Sequence, residues 1–103
     1  MSNIFAMLRP LDFEGYRIPA QTRDALVRYY EDGLMPGSFL TAVLCNDLMG
    51  AVGRADSTNR ECLNDICAFV YNAMPANTWG SAEAMRKHTE RVWAMKQGQE
   101  QNG

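Results

Sequence analysis

The sequence predicts an all-α domain, a compact array or bundle of about four helices preceded by an extended N-terminal arm. Three observations carry that reading. Apolar residues recur at helical spacing in four separate segments. Proline or glycine stands at each junction between them, which permits either antiparallel packing or sharp crossings. The 103 residues are 47% apolar and 21% charged, an ordinary globular balance far from the signature of disorder. Divided in two, a chain of this length would leave halves too small to bury separate cores, so residues 1–97 read as one helical domain and 98–103 as a disordered polar tail.

The arm mixes Ile4, Phe5, Met7, Leu8, Leu11, Phe13, Tyr16 and Ile18 with Pro10 and Gly15, which interrupt a long helix. It should be extended and packed, with room for a short strand pair. Pro19 suits the start of helix one, where Thr22, Leu26, Tyr29 and Tyr30 form a stripe before Gly33. After Leu34-Met35-Pro36-Gly37, the run Phe39, Leu40, Val43, Leu44, Leu48, Met49 and Val52 covers most of a helix circumference. That predicts a buried central helix two, ending near Gly50 or Gly53. Thr58 and Glu61 have capping-box spacing, and helix three follows with Leu63, Ile66, Cys67, Val70, Tyr71 and Met74 up to Pro75. Ser81 is a good N-cap for helix four, whose stripe is Met85, His88, Val92 and Met95.

The charge pattern narrows the partner classes. A net charge of -2 supplies no global attraction for polyphosphate, which argues against a general nucleic-acid binder. The basic residues Arg86, Lys87, Arg91 and Lys96 of helix four leave only a local route to weak nucleic-acid binding. The three cysteines, Cys45, Cys62 and Cys67, show no CxxC spacing and lie in apolar periodic segments, so they read as reduced core thiols of a cytoplasmic protein. No basic leader followed by an apolar stretch opens the chain, and no run of about 18 apolar residues predicts a membrane span.

Catalytic chemistry finds no foothold. His88 is the only histidine, so a zinc site of three or four convergent ligands has no spacing to draw on, and no nucleophile signature accompanies it. It reads as a histidine capping the core. Neither GxxxxGK[ST] nor GxGxxG occurs. The expectation is a protein without catalytic residues, metal or cofactor.

Polar residues in apolar surroundings are the more informative feature. Asn46 and Asp47 interrupt helix two, and an unpaired buried carboxylate costs several kcal/mol, so Asp47 must reach solvent, a cation or hydrogen-bond donors. Arg54 with the loop donors of Ser57, Thr58 and Asn59 could supply partners as a staple between helices two and three, or Asn46, Asp47, Arg54, Asp56 and Asn59 could form a polar corner that binds a small ligand or nucleotide. Trp79, directly before a capped helix, either packs back as a staple or joins Tyr71 and Asn72 as an anchor for a partner. Tyr16, Arg17, Tyr29 and Tyr30 form another aromatic and basic grouping, and Trp93 lies off the stripe of helix four, where self-association is the simplest use of it. The candidate binding residues are therefore Asn46, Asp47, Arg54, Asp56, Asn59, Tyr71, Asn72 and Trp79.

The pattern Ile18-Pro19, Ala25-Leu26, Arg28-Tyr29, Gly33, Pro36-Gly37, Phe39-Leu40, Ala42-Val43-Leu44, Asn46-Asp47-Leu48, Arg54-Ala55-Asp56, Asn59, Tyr71-Asn72, Pro75 and Trp79-Gly80-Ser81 resembles a family of small helical proteins encoded by phages and prophages. It spans roughly residues 17 to 85. The resemblance implies a setting, the cytoplasm of a bacterial host during infection or lysogeny, and no mechanism. Combined with the missing catalytic groups, it leads to the expectation of a non-enzymatic accessory protein that acts by stoichiometric binding to a host protein, inhibition of a host defence system being one instance.

Overall fold

The fold is seen in a computed structural model that describes residues 10–102, with side chains over 10–98. The arm residues Ile4, Phe5, Met7 and Leu8 lie outside the described residues. The described part is all-helical: α1 (Ala20–Asp32), α2 (Ser38–Leu44), α3 (Leu48–Arg54), α4 (Ser57–Glu61), α5 (Leu63–Ala73), a 3-10 turn (Ala76–Thr78) and α6 (Ala82–Asn102). Six α-helices therefore replace the expected four. The difference arises because helix two is two helices and a further short one precedes helix three. α6 runs to Asn102, into the segment for which the sequence predicts no order.

Residues 10–18 are non-helical and strand-free, turning at Gly15, where φ is +89°. Their packing follows from aromatic burial. Phe13 stacks on Phe69 with centroids 4.4 Å apart, and Tyr16 meets the same ring edge-on at 5.4 Å. The Arg17 amide donates to Asp65 Oδ2 at 2.9 Å, so the arm runs antiparallel to α5. Tyr16, Arg17, Tyr29 and Tyr30 thus do not form a common recognition surface, since both later tyrosines are buried in the core.

α1 buries Thr22, Leu26, Tyr29 and Tyr30, the stripe its spacing predicts. It ends at Gly33, whose φ of +71° is left-handed, with the Gly33 and Leu34 amides bonded to Tyr29 O and Arg28 O. A Cβ on Gly33 would stand 2.6 Å from Trp93 Nε1, so the indole of α6 lies across the end of α1. His88 supplies a second link: its ring stacks on Tyr30, and Nε2 lies 2.9 Å from Tyr30 O. A carbonyl can only accept, so Nε2 carries the proton. At 2% exposure the imidazole is buried, which lowers its pKa.

α2 is the buried helix that the sequence predicts, with Phe39, Leu40, Ala42, Val43 and Leu44 in the core. α3 is not. Only Ala51 of α3 is buried, and Leu48, Met49 and Val52 face outward. α5 completes the core with Ile66, Phe69 and Val70, and α6 adds Met85 and Val92.

Candidate functional site

The site begins with the break between α2 and α3. Asn46 adopts φ +66°, a left-handed conformation that asparagine tolerates better than other side chains, and the Asp47 amide reaches back to Ala42 O at 2.8 Å. Asp47 then caps α3, accepting from the Gly50 amide at 3.0 Å. The two polar residues that interrupt helix two are thus a stop and a start. Asp47 satisfies its charge at a helix N-terminus in solvent, and the left-handed residue before it ends α2 and starts α3 as a separate helix.

The predicted polar corner is divided by this turn. Asp56 caps α4 by accepting from the Asn59 amide at 2.8 Å, so the cap is Asp56 and not the Thr58–Glu61 box. Asn59 Oδ1 accepts from Thr22 Oγ1 at 2.6 Å and ties α4 to α1. Arg54 lies over Gly50, Nη1 standing 2.6 Å from where a Cβ would be, with Asp47 Oδ2 at the same spot. It lines two shallow depressions, one with Asp47, Ser38 and Cys45, the other with Asp56, Asn59 and Thr22. Asn46 belongs to neither. The five residues do not converge on one ligand, and both carboxylates are occupied with helix ends.

The other candidates do come together. The Gly80 amide donates to Leu44 O at 2.7 Å, taking one of the terminal carbonyls of α2, and Gly80 needs its glycine for φ +117°. Tyr29 O–H donates to Thr78 O at 2.6 Å in the core, and Thr78 Oγ1 closes the preceding turn on Pro75 O. These bonds seat Trp79 beside Tyr71, their rings edge to face with centroids 6.2 Å apart. Trp79 is part-buried and packs on the core, as a staple does, and its buried Nε1 has no acceptor among the described residues. Asn72, by contrast, is exposed and does not line the cavity that Tyr71 and Trp79 share.

Together these elements enclose an open groove of about 220 Å³ between α3 and α5. The buried side chains Val43, Ala51 and Val70 form its deep side, Leu48, Cys67, Tyr71 and Trp79 its walls, and Asn46 contributes an exposed amide. None of the eight carries a charge. Burial raises the Cys67 pKa, which keeps the thiol protonated at neutral pH, so its contribution is that of a small apolar wall. Of the lining residues Leu48 is 56% exposed and Tyr71 74%, and on α3 beside Leu48 in sequence Met49 is 81% and Val52 40% exposed. The sequence reading missed Leu48, Met49, Val52 and Cys67 as site residues. The signal for the first three was the Asn-Asp pair followed by two glycines in seven residues, a pattern of a short capped helix and not of a long buried one.

The basic residues of α6 are each engaged. Arg86 bonds Glu90 at 2.9 Å, Lys87 lies 3.7 Å from Glu83, Arg91 donates to Asn77 O at 3.0 Å, and Lys96 pairs with Asp32 at 2.6 Å. Acidic partners interleave the stripe, which leaves no run of uncompensated cations to track a phosphate backbone. Among the described residues there is no cluster of three metal-ligating side chains and no helix long and apolar enough to cross a membrane. Set against known protein families, curated proteins and solved structures, the chain matches none of them.

Proposed function

We propose that this protein acts by stoichiometric binding to another protein through the α3–α5 groove and its apolar rim, the partner being a protein of a bacterial host. One observation carries the surface: Leu48 and Tyr71 line an uncharged groove and stand open to solvent, and Met49 and Val52 of the same short helix α3 are exposed as well. Scattered single apolar residues need no explanation, but large apolar side chains left exposed at an uncharged cleft are how recognition sites are built. Aromatic and methionine side chains are enriched in such patches, and here α3 presents Met49 and α5 presents Tyr71. The host setting rests on the resemblance to phage- and prophage-encoded proteins, and inhibition of a host defence protein is one form it would take.

The test compares capture from bacterial lysate by the wild-type chain and by a Leu48→Asp variant, altered at a lining residue, with an unchanged melting temperature. A stoichiometric partner held by the first and lost by the second supports the reading. A partner held equally by both, or no stoichiometric partner, counts against it.

A further inference from the structure

The geometry points to one neutral aromatic side chain, with a polar tip, as the anchor that a partner places in the α3–α5 groove. This deepens the protein-binding reading and rests on it. The charge pattern comes first. All eight lining residues are uncharged in a chain that is 21% charged, and the flanking Met49 and Val52 are apolar. A matching surface must be uncharged too, because an ion pressed against this lining would lose its hydration with no counter-charge to replace it.

Size comes second. An apolar cavity of about 150 Å³ admits benzene, so a groove of about 220 Å³ accepts one large side chain and not a whole helix. The walls favour a ring over an aliphatic chain. Tyr71 and Trp79 already meet edge to face at an interplanar angle of 66°, and a third ring extends that packing, while the Cys67 sulfur offers a polarisable contact. The polar handle comes last. Asn46, held at its left-handed turn, and the exposed Tyr71 are the lining residues whose side chains can both donate and accept, which suits the N–H of an indole or the O–H of a phenol.

The experiment titrates the ¹⁵N-labelled full chain with N-acetyl-tyrosinamide and N-acetyl-tryptophanamide, with indole-3-acetate as the charged control. The two indole N–H signals are told apart with a Trp93→Phe variant. Saturable shifts of the Trp79 indole with millimolar dissociation constants, an unmoved Trp93, and at least tenfold weaker binding in Tyr71→Ala are expected. A Cys67→Phe variant, which fills the groove, should abolish the shifts while keeping the dispersed spectrum of the folded chain. If Cys67→Phe does not fold, Tyr71→Ala decides, since that side chain is exposed. Absence of saturable shifts at Trp79, or indole-3-acetate binding as tightly as the neutral probes, overturns the inference. Because the titration needs no host protein, its failure is separate from failure of the lysate capture. Probe binding with no captured partner would uphold the anchor chemistry and sink the host-protein reading.

Discussion

Single residues decide where the helices start, stop and join. Asp47 and Asp56 each accept one first-turn amide, so Asp47→Ala and Asp56→Ala should each cost about 0.5–2 kcal/mol, with serine at either position restoring most of it, measured by urea denaturation. Tyr29 O–H is the buried link between α1 and the turn before Trp79. Tyr29→Phe leaves Thr78 O without that donor and should cost about 1–3 kcal/mol. His88 couples stability to pH. Its folded pKa is lowered, chiefly by burial, so the unfolded chain binds the proton more readily. Stability is then full above the unfolded value of 6.5 and falls as the pH drops through 6.5 towards the folded value. Denaturation midpoints between pH 7.5 and 5.5 should decline in the wild type and flatten in His88→Gln.

At the scale of elements, the lesson lies in helix two. Its apolar residues were legible as core through Leu44, and α1 and the Ser81 cap of α6, with the Ala84 amide on Ser81 Oγ at 3.0 Å, follow the sequence closely. α5 keeps Ile66, Val70 and Met74 inside but buries Phe69 in place of Tyr71, which the stripe includes and which is exposed. Beyond Leu44 periodicity misleads, because a seven-residue helix apolar on several faces looks the same whether the core surrounds it or solvent does. What distinguishes the cases is the turn chemistry of Asn46 and Asp47, a local signal that the longer apolar pattern outweighed. The grouping of Tyr71 with Trp79 was readable; the grouping of Asn46 with Arg54 was not, since the same turn sends their side chains to different sides. The α1–α6 junction offers an independent check. Gly33→Ala combines a left-handed φ, costing about 1–2 kcal/mol, with displacement of the Trp93 indole. Pairing it with Trp93→Ala in a double-mutant cycle should recover the displacement and leave the backbone cost.

For the whole molecule, the core closes around α2, α5 and the inner faces of α1 and α6, with the arm packed on Phe69. α3 contributes only Ala51 to that core and leaves its larger apolar side chains outside. The protein thus carries hydrophobic surface that folding does not consume, and this surplus is the basis for assigning α3 and the groove to recognition. The direct measurement is the unfolding free energy of Leu48→Asp, Met49→Asp, Val52→Asp and Tyr71→Asp. Surplus surface predicts changes within about 0.5 kcal/mol at Met49, small ones at Leu48 and Val52, and at Tyr71 no more than about 1.5 kcal/mol, the worth of its ring contact with Trp79. Losses of about 3 kcal/mol or more at these positions, the cost of disrupting a packed core, would contradict it.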